Sequence, residues 1–295
     1  MKAPATSTLE RIAGALAWAE SHLDARITVA DVARRAHYSP FHFHRMFSGL
    51  TGEPLMDFLR RRRLSLAAHA LRASDRTILD IAYDAGFDSQ EAFTRAFKSF
   101  SGVTPGRYRR DPAAGAVTST APFDLATLTA LRGGSTMDPK FVDLPEFTVV
   151  GLSGKFVVGK TEGIPALWGD LCGRWERDGC AFPRVSYGLC FDESDGAQGE
   201  AVPFSYLAGF AADDVEKTPD GLESRSLPAN HYAVFTHHGP VMGIGDTYGK
   251  IFGTWLPQSG YRRAEGPDFE LYDERFDEKT MSGEVDIYLP VAPNA

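Results

Sequence analysis

Val29–Gly52, VADVARRAHYSPFHFHRMFSGLTG, and Ile78–Gly102, ILDIAYDAGFDSQEAFTRAFKSFSG, are two versions of one pattern, and that pattern decides the fold of the first third of the chain. Aligned, Asp31 meets Asp80, Val32-Ala33 meets Ile81-Ala82, Ala36 meets Ala85 and Tyr38 meets Phe87. After one extra residue in the second copy, Phe43, Arg45, Phe47 and Gly52 meet Phe93, Arg95, Phe97 and Gly102. Each copy reads as helix, turn, helix. Thr28 caps a helix to about Ala36, and Ser39-Pro40 supply the N-cap and first position of a second one to about Leu50. In the other copy Thr77 caps Ile78–Ala85, Gly86 makes the turn, and Asp88 or Ser89 caps Gln90–Phe100. A repeated supersecondary unit marks an architecture that uses the unit twice. Two helix-turn-helix units on one chain would let a monomer read two stretches of DNA.

Working outward, Leu9–Leu23 carries a helical apolar stripe, Glu53-Pro54 opens a Leu/Ala-rich helix through Ala73, and Thr104-Pro105 opens a short last one. That makes seven helices, an all-α domain over residues 1–112. The 295-residue chain has a formal net charge of −8, but the charge is divided. Met1–Pro112 holds 17 Lys/Arg against 12 Asp/Glu, and the rest of the chain holds 14 against 27. A basic segment joined to an acidic one keeps DNA binding open, because phosphate responds to the surface that faces it. Cys172, Cys180 and Cys190 have neither metal-site nor disulfide-framework spacing, and read as reduced thiols. With no apolar run of about 18 residues and no apolar signal core, the chain reads as cytoplasmic and without a membrane partner. Nothing in it asks for a metal or a cofactor.

In each unit the second helix is expected in the major groove. From Pro40, the residues Phe43, Met46, Phe47 and Leu50 form the core stripe, leaving Phe41, His42, His44 and Arg45 to face out or flank it. In the other unit Phe93, Phe97 and Phe100 are core, while Gln90, Glu91, Thr94 and Arg95 face out. Arg can bond guanine, Gln adenine, and Phe41 can pack on thymine methyls. For Arg45 and Arg95 the competing reading is a solvated helix face or an intradomain salt bridge. His42 and His44 do not share a helix face and make no metal pair. The run Arg60–Arg63 reads as a solvated face with one or two phosphate contacts.

Residues 113–137 are rich in Ala, Thr, Ser and Gly and read as a linker, with one or two amphipathic turns over Phe123–Leu131. Residues 138–295 change texture. Phe147–Gly151, Tyr187–Phe191, Tyr206–Phe210, Tyr232–Thr236, Phe269–Tyr272 and Val285–Val291 are strand-like runs between Gly and Pro. This half also repeats: IPALWGDLCGRW, Ile164–Trp175, and IGDTYGKIFGTW, Ile244–Trp255, share Ile164/Ile244, Gly169/Gly249, Gly173/Gly253 and Trp175/Trp255, with Trp168 opposite Tyr248. Each follows one strand and precedes two. The expected fold is therefore multidomain: an all-α double helix-turn-helix, then an α+β domain of two β-α-β-β units sharing one sheet and a cleft.

The stretch from Leu9 to Arg110 resembles the DNA-binding domain of the AraC/XylS transcription regulators, most specifically from Gly86 to Arg109. The resemblance implies two recognition helices in successive major-groove segments. By position, Phe41, His44 and Arg45, then Gln90, Glu91, Thr94 and Arg95, fall where family members contact DNA. Residues 138–291 resemble the GyrI-like effector-binding domain, on WLPQSG at Trp255–Gly260, GPDFELY at Gly266–Tyr272 and VDIYLP at Val285–Pro290. That resemblance implies a cleft for cationic amphipathic ligands, with Glu270 as counter-charge.

Strand parity agrees, since Glu270 and Tyr272 share one face. A carboxylate amid Trp168, Tyr206, Trp255 and Tyr272 would hold an apolar cation by charge and cation–π contact. The competing readings are a solvated Glu270 on an edge strand and aromatics that are simply core. The chain is expected to be a non-enzymatic regulator, with promoter DNA, a small-molecule effector and RNA polymerase as partners. The alternative is a regulator whose GyrI-like domain also hydrolyses small electrophiles, with Glu270 as general base beside Trp168.

Overall fold

The computed structural model describes residues 7–115, 117, 119–131, 137–195 and 201–294. Seven helices open the chain: α1 (Thr8–Glu20), α2 (Val29–Arg35), α3 (Pro40–Thr51), α4 (Leu55–Ala73), α5 (Ile78–Asp84), α6 (Gln90–Ser101) and α7 (Pro105–Arg110). Their starts are capped as the sequence reads. Thr28, Ser39, Thr77 and Ser89 each accept a backbone N–H from the first turn, satisfying donors that a helix start leaves open. The two units turn through the same left-handed conformation on different residues, Gly86 at φ +76° and its counterpart His37 at φ +59°.

The second unit has its own core, in which Ile81, Phe93, Phe97 and Tyr108 pack on Leu64, Ala68 and Leu71 of α4. The first unit does not close on itself. Its apolar cluster runs from α1–α4 through Phe41 into Tyr206, Phe204, Phe252 and Phe235 of the second half. The arginine run of α4 is a solvated face only in part, at Arg60 and Arg61, which are exposed. Arg62 is buried and pairs with Glu20, Arg61 bonds Glu53, and Arg63 donates to the carbonyls of Leu23 and Ala25.

Part of the expected linker folds back. Phe123 stacks on Phe58 at 4.7 Å and meets Phe47 edge-on, and Leu128 of α8 (Leu125–Leu131) is fully buried. The two amphipathic turns therefore close the core of the first unit.

The remainder is one antiparallel sheet with two helices. In chain order the elements are β1 (Lys140–Leu144), β2 (Phe147–Val157), α9 (Ile164–Arg177), β3 (Ser186–Asp192), β4 (Pro203–Ala211), β5 (Glu223–Leu227), β6 (Asn230–Pro240), α10 (Ile244–Lys250, continued as a π-turn over Ile251–Trp255), β7 (Tyr261–Arg263), β8 (Asp268–Tyr272), β9 (Phe276–Asp277) and β10 (Ser282–Pro293). The strand order is β1-β6-β10-β8-β3-β4-β2-β5, with β7 and β9 on β10. The two repeats, β2-α9-β3-β4 and β6-α10-β8-β10, meet where β3 pairs with β8, with Gly188 opposite Glu270. Both helices cover one face, while Val149, Leu189, Leu207, Tyr232 and Phe269 build a separate core on the other. The short strands β1, β5, β7 and β9 carry no sequence signal. Among the described residues no helix is long and apolar enough to cross a membrane.

Candidate effector cleft and reading heads

Alternation along β8 sends Asp268, Glu270 and Tyr272 to the helix-covered face and Phe269 to the opposite core. Glu270 is 6% exposed and receives three tyrosine hydroxyls: Tyr206 at 2.7 Å and Tyr272 at 2.8 Å on one oxygen, Tyr248 at 3.2 Å on the other. The indole of Trp168 donates to the Tyr206 hydroxyl at 3.3 Å and stands edge-on to Tyr272. Gly188 makes this possible. A Cβ there would lie 1.8 Å from the Tyr206 hydroxyl oxygen and 2.8 Å from Glu270.

Burial pushes the Glu270 carboxyl above its ordinary range, partly offset by the hydroxyl donors. Burial first, and then the Glu270 charge, push the Tyr206, Tyr248 and Tyr272 phenols well up, so all three stay donors. Among the described residues Glu270 has no cation within 4.0 Å. The result is a buried carboxyl group on the floor of an aromatic cleft of about 1600 Å³. Phe182, Met242 and Met281, all exposed, stand at its rim.

Of the aromatic residues expected here, Trp168, Tyr206 and Tyr272 line the cleft and Trp255 does not. Trp255 packs against Phe235, Phe141 and Tyr261, as its repeat partner Trp175 packs on Phe210. Trp175 and Trp255, which end the two copies of the repeat, are both core. Tyr248 was the residue to add, and its alignment with Trp168 was the available signal.

The first reading helix lies against this cleft. Phe41 stacks on Phe204 of β4, and its N–H donates to Ser194 Oγ at 3.0 Å. His42 is buried, with Nδ1 2.6 Å from Ser39 Oγ and 3.2 Å from Asp192. Its burial lowers the imidazole's proton affinity despite that carboxylate. Arg45 reaches Asp268 at 2.8 Å and lies over the rings of Tyr248 at 4.3 Å and Phe252 at 4.2 Å. Burial opposes the guanidinium charge, but Asp268 and Tyr248 more than restore it. Asp268, fully buried, is held below the usual carboxylate range by Arg45 and Arg263, which outweigh its own burial.

Backbones also touch. A Cβ on Gly253 would fall 2.1 Å from the Gly49 carbonyl carbon, whereas the equivalent Gly173 of α9 has open space. Phe41, His42 and Arg45 therefore do leave the helix-turn-helix core, but they face the second half of the chain and not solvent. Arg45 makes a salt bridge, across halves and not within one. His44, half-buried, lines the cleft. In the second unit Gln90, Glu91 and Arg95 are exposed and Thr94 is half-buried, all clear of the sheet. Among the described residues no group of three or more His, Cys, Asp or Glu is placed to hold a metal ion.

Residues 137–292 match the model of the GyrI-like small-molecule-binding domain, and residues 32–111 match that of a helix-turn-helix domain. The right origin-binding protein of Escherichia coli K12 is 30% identical over 287 residues, covering 94% of this chain and 96% of that protein. The transcriptional regulator Rob of Salmonella typhimurium is 30% identical over 272 residues, covering 90% and 91%. The transcriptional regulator BrlR of Pseudomonas aeruginosa is 34% identical over 169 residues, covering 57% and 60%.

Proposed function

The chain belongs to the AraC-type helix-turn-helix transcription regulators that carry a GyrI-like small-molecule-binding domain, and from that premise we propose that its cleft senses a cationic amphiphile while α3 and α6 read promoter DNA. The observation that carries the ligand class is the contrast between two carboxylates on one strand. Asp268 is matched by Arg45 and Arg263, whereas Glu270 holds only hydroxyl donors. An unmatched buried carboxylate ringed by aromatic faces favours a cation that leaves water easily, so an apolar one.

On the DNA side, Phe41, His42, His44 and Arg45 of the first head and Gln90, Glu91, Thr94 and Arg95 of the second are the proposed contacts. RNA polymerase is the proposed partner at the promoter, and transcription from a bound promoter in a purified system tests it.

The ligand class is tested by calorimetric titration of the full chain with tetraphenylphosphonium and with tetraphenylborate, which have nearly the same shape and opposite charge. The cation is expected to bind at least a hundredfold tighter, about what a buried counter-charge supplies. Equal affinities would overturn the proposal.

A further inference from the structure

One side chain of the first reading head already sits where a cation would be sensed. Arg45 lies over the ring of Tyr248, whose hydroxyl bonds Glu270, and it ion-pairs with Asp268, two residues along the same strand. We propose that Arg45 is the built-in cation of this cleft: docked α3 and a cationic effector compete for it, and the effector releases the first reading head to DNA. This rests on the cation reading above and extends it to regulation.

Three features of the contact support competition. First, its geometry excludes DNA. The residues of α3 that leave its own core, Phe41, His42 and Arg45, are covered by the sheet and α10, so no duplex can reach them while α3 is docked. Second, the contact is specific. Gly49 meets Gly249 and Gly253 with backbone against backbone, and Ser194 accepts the Phe41 N–H, a first-turn donor that the helix itself leaves unsatisfied. Third, Tyr248 is shared. A cation drawn to Glu270 approaches a buried guanidinium on the same aromatic ring, and like charges in a water-poor site repel strongly. The second reading head takes no part, since α6 stays exposed.

Linkage makes this measurable from both ends, because two ligands that exclude each other do so reciprocally. Duplexes are selected from a random pool by the full chain with tetraphenylphosphonium present, and affinity for the selected duplex is measured with and without the probe. The probe is expected to raise it about tenfold or more, in the usual range of coupling between sites. Gly253→Ala places a methyl against the Gly49 backbone and undocks α3 without touching either the reading head or Glu270. It is expected to bind the duplex as tightly as the probe-saturated wild type, to ignore the probe in DNA binding, and to bind the probe itself tighter than the wild type does. Ser194→Ala, which removes the acceptor for Phe41, shifts both affinities the same way by a smaller factor and stands in if Gly253→Ala does not fold.

If the folded variants bind DNA and probe with wild-type affinities while the wild type binds the probe, the competition is overturned and the cation site stands. If no chain binds the probe, yet Gly253→Ala still gains DNA affinity, the cation reading has failed, and with it the competition, while the docking of α3 is upheld.

Discussion

Replacing Glu270 by glutamine removes one charge from the cleft and almost nothing else. The amide is isosteric, its carbonyl still accepts the Tyr206 and Tyr272 hydroxyls that now meet one carboxylate oxygen, and its NH2 donates to the Tyr248 hydroxyl, which turns from donor to acceptor. In tetraphenylphosphonium the phenyl groups keep the charge centre from approaching closer than about 6 Å, and at an effective dielectric constant of about 20 such a pair is worth roughly 2.8 kcal/mol. That converts to about a hundredfold in affinity, lost in Glu270→Gln and read by calorimetry. Tetraphenylborate is expected to move the other way, because the variant no longer repels it.

The pH profile carries a second check. Only the ionised carboxylate attracts the cation, and burial raises the proton affinity of Glu270. Affinity should therefore be flat at high pH and fall as pH drops, beginning above the ordinary carboxylate value of 4.5, with no such fall in the glutamine variant. Retention of wild-type affinity within threefold by Glu270→Gln, or an identical pH profile in both proteins, would refute the electrostatic reasoning.

Gly188→Ala is expected to drive Tyr206 off Glu270 and abolish probe binding; an unchanged titration would show that the hydroxyl ring is dispensable. Leu128→Ala removes a fully buried side chain from α8 and should cost about 2–5 kcal/mol in denaturant unfolding, whereas a free linker residue would cost nothing. Arg95→Ala, on the exposed second head, should lose about ten- to a hundredfold of specific over random DNA affinity with or without effector. Arg45→Ala removes a base contact and the docking anchor together, so its deficit should be smaller without effector than with it; equal deficits would separate Arg45 from the docked state.

What the sequence discloses follows the range of the interactions involved. Period and capping act within a few residues, so the helices, their starts and the strand segments Phe147–Gly151, Tyr187–Phe191 and Phe269–Tyr272 can be read directly, although the first of these strands runs on to Val157. Parity puts Glu270 and Tyr272 on one face for the same reason. An aromatic residue gives no such signal for which apolar surroundings it joins. Trp168 lines the cleft and Trp175, in the same helix, packs into the core, as does its counterpart Trp255 in the other copy. The docking of α3 is further out of reach. Arg45 and Asp268 are 223 residues apart, and an outward-facing arginine looks the same whether a phosphate or a carboxylate will meet it. The glycines Gly49, Gly249 and Gly253 were visible, but their meaning lies in two helices touching, which no single-helix pattern encodes.

The composition of the contact sets how strong a brake it can be. A ligand moves a two-state equilibrium only by its preference for one state, so a helix docked too firmly could not be released by one small cation. The α3 contact is built to stay within that limit. Its one strong charge pair, Arg45 with Asp268, is buried, and burying two charges consumes most of what their attraction returns. His42 adds a buried imidazole nitrogen without a partner, a further loss on docking. Beside the pair stand the stacking of Phe41 on Phe204, Arg45 over the rings of Tyr248 and Phe252, His42 against Asp192, one hydrogen bond to Ser194 and a glycine crossing. Deleting one partner is a different matter, because Asp268→Asn leaves the Arg45 guanidinium buried without its counter-charge only while α3 is docked. Asp268→Asn should therefore undock α3 more effectively than Phe41→Leu at equal folding stability, measured as the gain in probe affinity. If instead Phe41→Leu gives the larger gain, the apolar contact and not the charge pair sets the docking strength.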